Sequence, residues 1–201
     1  MATFSISTSG SIDLQALATA LQPYLPQQST STGSTGSTTP PATGVFWIYY
    51  NGQFNWAGDY SFGTGPINYQ DTAGKPLSGQ FDISVPVVSP WGGYQPFAQG
   101  GAFDTSPYKY LLYSIKPTKA NAVFATGFAA TGDVADGTPI TTVSTSITKY
   151  GPAPVAGQWG SYKIPLADFG LTNKLILKFS IADGSGISPN QFYVDNVGFS
   201  A

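Results

Sequence analysis

Cysteine, histidine, arginine and glutamate are all missing from this chain. Without cysteine there is no disulfide framework, and without Cys or His there is no Cys/His zinc site. Without histidine there is no imidazole general base and no Ser-His-Asp triad. Without arginine, bidentate clamps on phosphate or carboxylate are excluded. Charge is scarce: 9% of the 201 residues are charged, against about 25% in an average globular chain. Eight Lys against ten Asp leave a formal net charge of −2. There is no basic footprint, so nucleic acid is not an expected partner. Apolar runs such as Val45-Phe46-Trp47-Ile48-Tyr49-Tyr50 are strand-sized. They fall far short of the ~20 residues of a membrane helix, and membrane insertion is not expected. The N-terminus lacks the basic and apolar regions of a secretory signal.

What is present points to β structure. Hydrophobic residues make up 41% of the chain and aromatics 14%, with Gly 24 and Pro 16 to supply turns. A chain poor in charge and rich in aromatics, Gly, Ser and Thr reads as an all-β sandwich with a neutral, polar partner.

Three segments follow one another. In residues 1–28, Phe4 and Ile6 alternate with polar neighbours as a brief strand. Ser11 is placed to cap a short helix, Asp13 falls in its first turn, and Pro23 closes it. Leu14, Leu17 and Leu21 form its apolar stripe. A helix of about ten residues is not stable alone in water, so the stripe must pack on something. Packing on the chain's own sandwich is one reading; docking into a larger assembly or oligomer is the other. Residues 29–44, rich in Ser, Thr and Gly and ending in Pro40-Pro41-Ala42-Thr43-Gly44, form a flexible linker. Such a tether favours the docking reading. Residues 45–201 form the body.

In the body, short alternating or apolar runs recur between turn signals. Strands are predicted at 45–51, 79–88, 108–116, 122–130, 138–149, 160–164, 175–182 and 191–199. Their number and irregular loops favour a two-sheet jelly-roll β-sandwich, and about 157 residues suffice for its core.

Four stretches carry a resemblance. Ile48-Tyr49-Tyr50-Asn51-Gly52 is followed by Phe54-Asn55-Trp56. Phe103-Asp104-Thr105-Ser106-Pro107-Tyr108 leads into an apolar run. Trp159-Gly160-Ser161-Tyr162-Lys163-Ile164-Pro165-Leu166-Ala167-Asp168-Phe169 comes next, and the chain closes with Phe192-Tyr193-Val194-Asp195-Asn196-Val197. In this order they resemble the jelly-roll carbohydrate-binding modules attached to polysaccharide-degrading enzymes. The resemblance covers residues 45–201 and implies the sandwich fold and glycan binding. It also implies a structural calcium held by Asp195, although Asn51 stands where an acid is common. The Gly132-Asp133-Val134-Ala135-Asp136-Gly137 loop is a weaker calcium candidate. Apart from that metal, no cofactor is required.

Glycoside hydrolysis needs two carboxyl groups about 5–10 Å apart. Here every acid is an Asp, and most sit singly in turns, so an enzyme is not expected. Sugar recognition instead needs exposed aromatic faces. Trp91 and Tyr94, in Pro90-Trp91-Gly92-Gly93-Tyr94-Gln95, are the leading candidates. Trp56 and Tyr60 come next, and Tyr69, with Asn68 and Gln70, extends the rim. Trp47 lies in an apolar strand and is assigned to the core; Trp159 is read as a core or corner residue.

These readings converge on a non-catalytic module for a neutral glycan or cell-surface polysaccharide. Its head would tether it to a larger assembly, as a homo-oligomer. A Met1 start without a signal peptide suggests the surface of a phage or other virion, or the extracellular space. The alternative is a purely structural decoration protein with the same fold and no sugar specificity.

Overall fold

The structure is a computed structural model that describes residues 44–98, 102–120, 122–130, 140–141 and 145–201. The chain divides into two units at Thr38/Thr39. The head with Leu14, Leu17 and Leu21, the linker through Thr43 and the 132–137 loop lie outside the described residues.

The body is built of fifteen strands among the described residues: β1 (Val45–Tyr50), β2 (Gln53–Phe54), β3 (Gly58–Asp59), β4 (Asn68–Asp71), β5 (Asp82–Val87), β6 (Gly93–Tyr94), β7 (Pro96–Phe97), β8 (Phe103–Asp104), β9 (Tyr110–Pro117), β10 (Phe124–Ala130), β11 (Ile140–Thr141), β12 (Thr145–Ser146), β13 (Gly160–Pro165), β14 (Leu175–Asp183) and β15 (Asn190–Ser200). They form two antiparallel sheets. The first runs β13-β9-β15-β1-β2, with β5 on the other half of β15 and β4 on β5. The second runs β11-β10-β14-β7-β3, with β12 on β10 and β6 and β8 on β14. This is the expected sandwich.

Alternation decides which side chains fill it. Leu111, Tyr113 and Ile115 of β9, Tyr162 and Ile164 of β13, and Phe192 and Val194 of β15 point inward from the first sheet. A bulge between Asp195 and Gly198 resets β15, so that Val197 and Phe199 are again inside. Phe124, Thr126 and Phe128 of β10 and Phe179 and Ile181 of β14 face them from the second sheet. The one polar side chain in that row, Thr126, is satisfied across the core by the Tyr113 hydroxyl.

Three expectations need correction. The strand predicted at 138–149 is two short pairings on β10, followed by a 3-10 turn at Ile147–Lys149. Strands β2, β3, β4, β6, β7 and β8 fall outside the predicted ranges; each is two to four residues long, too short for a period to show. Trp47 is not in the core. A bulge in β1 turns both Ile48 and Tyr49 inward and leaves Trp47 and Tyr50 outside, their rings 5.4 Å apart.

The two outer faces differ. Across the first sheet, the segment between β4 and β5 is strapped down. Leu77 and Ser78 N–H groups donate to Asp195 Oδ2 at 2.9 and 3.1 Å. Lys116 Nζ donates to the Gly74 carbonyl at 2.7 Å, and Trp159 Nε1 to the Lys75 carbonyl at 3.0 Å. Trp159 is thus a half-buried anchor of the strap.

Candidate functional site

The outward residues of the second sheet follow from its register. Lys178 of β14 pairs with Phe97 of β7, and Phe97 pairs with Gly58 of β3. One row on, Ser180 stands beside Gln95, whose carbonyl accepts the Tyr60 N–H at 2.7 Å. In the next row Ala125, Ala182, Gly93 and Phe62 follow one another. The middle of this face is therefore a floor of small side chains: Ala125, Gly127, Ser180, Ala182 and Gly93. Its edge is aromatic.

Tyr60 is 57% exposed and Phe62 41%. Tyr60 stacks on Phe97 with ring centroids 4.2 Å apart and an 18° interplanar angle. Phe97 can lie flat because residue 58 is glycine; a Cβ there would meet the Phe97 ring at 3.0 Å. Lys178 Nζ lies 5.5 Å from the Tyr60 centroid and donates to Gln95 Oε1 at 2.9 Å. One cation, one amide and one hydroxyl thus stand beside a stacked aromatic pair. This set suits a neutral polyhydroxylic ligand, with ring faces for C–H groups and polar tips for hydroxyls.

Trp91 lies beyond the start of β6 and is 63% exposed. Its indole rests against Gly186, where a Cβ would meet it at 3.4 Å. Its φ is +66°, a left-handed conformation that is unfavourable for a bulky side chain. Backbone strain held at an exposed aromatic residue is a marker of a functional position.

Two of the sequence candidates fail as sugar platforms. Tyr94 is fully buried: in the alternation Gly93-Tyr94-Gln95 its neighbours face out, and its pairing with Ile181 sends its ring into the core. Trp56 is 7% exposed and packs among Phe103, Phe179 and Phe199. Tyr69 is half-buried against the core, and its hydroxyl donates to Asp59 Oδ2 at 2.8 Å. Burial, and after it that carboxylate, raises the Tyr69 pKa. Asn68 and Gln70 belong to β4, on the other sheet. Phe62, Phe97, Gln95 and Lys178 were missed. Their signal was there: Tyr60-Ser61-Phe62 and Gly93-Tyr94-Gln95-Pro96-Phe97 both alternate, but they read as Gly/Pro-rich loops rather than as a sheet edge.

Asp195 is fully buried on the outer side of the first sheet. Besides the two strap donors on Oδ2, its Oδ1 accepts the Asn196 N–H at 2.7 Å. Burial raises its pKa to about 6, while these backbone donors oppose the rise. Among the described residues no group of three or more acids is arranged to hold a metal. Asp195 serves as a hydrogen-bonding pin for the strap.

A family model for carbohydrate binding domain 30 matches residues 45–201. The chain belongs to carbohydrate-binding family 30. A solved family 30 module from a cellulosomal cellulase of Clostridium thermocellum superposes on this module with a TM-score of 0.57 at 20% identity, covering 77% of this chain and 96% of that one. A second family 30 module gives 0.59 at 19% identity, over 77% and 86% of the two chains. A family 29 module, solved with cellulohexaose, gives 0.50 at 12% identity over 78% and 89%. At these identities the likeness is one of fold. No curated protein sequence matches. The described residues hold no helix long and apolar enough to cross a membrane.

Proposed function

We propose that this family 30 module binds a neutral β-linked glucan chain, without catalysis, on the open face of its second sheet. The observation that carries the proposal is the exposed rings of Tyr60 and Phe62 along one edge of a floor made of small side chains, with a third exposed ring, Trp91, on the turn that leads into β6. The choice of a glucan draws on the relatives: one comes from a cellulase and another was solved with cellulohexaose. The absence of catalysis is supported by the placement of the acid with the most raised pKa. Asp82 is sealed beneath the strap on the opposite sheet, where no substrate reaches it.

Affinity electrophoresis in a soluble β-glucan tests the reading. Tyr60→Ala and Trp91→Ala should each weaken retention about tenfold or more, by removing a stacking face. Trp91→Ala should cost under ~1 kcal/mol of stability, as surface changes do. Unchanged retention in both variants would overturn the proposal.

The proposal extends to how the module is carried. Residues 1–28 form an anchoring head and residues 29–44 a tether, which together display the sandwich from a larger, oligomeric assembly such as a virion surface. Support comes from the Leu14, Leu17 and Leu21 stripe and the low-complexity linker. Leu17→Asp should abolish oligomerisation, read by light scattering, and leave the melting temperature of the sandwich unchanged. A parallel loss of sandwich stability would show that the head packs on the sandwich instead.

A further inference from the structure

The face of the first sheet left uncovered by the strap has its own concavity. It is a shallow pocket of about 310 Å³ lined by Trp47, Leu112, Ser114, Ser161, Lys163 and Asn196, among others. Its base is one row across four strands: Lys163 of β13 beside Leu112 of β9, then Gly198 of β15, then Trp47 of β1. Glycine at 198 lets the indole lie across the sheet; a Cβ there would meet Trp47 Cε3 at 3.0 Å. The next row brings Ser161 against Ser114, with their hydroxyls 2.8 Å apart.

Three groups at this pocket are hydrogen-bond donors without an acceptor among the described residues, while its serine and tyrosine hydroxyls are paired. The Trp47 indole N–H is buried and has no partner. The β15 bulge places Asn196 at φ +53°. Its Oδ1 accepts from Ser78 Oγ at 2.6 Å, which fixes the amide and leaves Nδ2 free to donate. Lys163 Nζ lies 4.0 Å from the centroid of the Tyr110 ring and makes no ion pair among the described residues. An apolar base of Trp47 and Leu112, ringed by donors, matches a ring with one C–H face and several oxygen acceptors. The volume is at the small end of small-molecule sites, which start at about 300 Å³.

We infer that this pocket is a second saccharide subsite, taking a single pyranose unit on the face opposite the main site. The class of ligand rests on the glycan reading above; the location does not. Trp47 supplies the stacking face. Asn196, Lys163 and the Ser114–Ser161 pair supply hydrogen bonds to ring hydroxyls.

Nuclear magnetic resonance separates the two sites, because Trp47, Trp56, Trp91 and Trp159 each give one indole N–H signal. The full chain, labelled with nitrogen-15, is titrated with cellohexaose. The Trp47 indole and the Asn196 amide should shift with a dissociation constant at least tenfold weaker than that read from Trp91. In Trp91→Ala the Trp47 shift should persist. In Lys163→Ala and Ser161→Ala, both milder than Trp47→Ala, it should weaken at least threefold while Trp91 responds as before. If Trp91 moves and Trp47 and Asn196 stay still, the second site is refuted and the main reading stands. If the Trp47 shift tracks Trp91 and vanishes in Trp91→Ala, it reports the main site, and the second site is again refuted. If no indole moves, both readings fail for this glucan.

Discussion

Trp56→Ala is expected to cost about 3–5 kcal/mol of folding stability, the range for large aromatic truncations in a core. The indole contacts three rings from both sheets: Phe103 at 5.6 Å and Phe179 at 5.7 Å on the second, and Phe199 at 6.1 Å on the first. Removing it opens a cavity at the junction of the sheets, and rings in three separate strands cannot all collapse into it. Part of the loss is offset, because the Trp56 N–H is buried without a partner. Chemical denaturation of the wild type and the variant measures the difference. Trp91→Ala, run beside it, should lose less than a third as much. Equal losses would show that exposure does not separate the two tryptophans, and the assignment of Trp91 to the binding edge would fall.

The second large effect is a stability that declines as pH rises. Asp82 is fully buried, and neither carboxylate oxygen has a hydrogen-bond partner. It is sealed by the strap: a Cβ on Gly74 would lie 2.2 Å from Asp82 Oδ2. Burial first, and then the neighbouring Asp71 and Asp195, raise its pKa from 3.8 to about 7; Lys116 only partly opposes this. The folded chain thus keeps a proton that the unfolded chain releases above pH 4. That stabilisation is complete below about pH 4, is lost as pH rises toward 7, and levels off above. Each proton held only in the folded state contributes a slope of up to about 1.4 kcal/mol per pH unit. Asp195, raised to about 6, adds to the slope between about pH 4 and 6. The melting temperature should therefore fall between pH 5 and pH 8. Asp82→Asn keeps the shape and removes the titration. It should flatten that fall and raise the melting temperature at pH 8. Parallel curves for wild type and variant would rule out Asp82 as the cause.

The strands were largely legible because their evidence is local. Phe192 and Val194 stand two residues apart in the run predicted as a strand at 191–199, and both are fully buried. Pro165 is the last residue of β13, the kind of position where a strand tolerates proline. The misreadings share one cause. Trp47 reads as core because it sits in an apolar run, but its pairing with Gly198 of β15, between inward Phe46 and Ile48, puts it on the outer face. Tyr94 reads as a surface residue because glycines precede it, but one pairing with Ile181 turns it inward.

From composition and alternation alone, the sequence determined an all-β sandwich over residues 45–201, poor in charge and rich in rings. Those properties belong to each residue and its immediate neighbours. Which rings meet solvent is set by strand pairing. Tyr60, Phe62 and Trp91 remain outside while Trp56 and Tyr94 fill the core. A strand residue has two faces, and the choice between them is made by the register of a partner strand. For Tyr94 that partner is Ile181, 87 positions along the chain, and no local pattern encodes it.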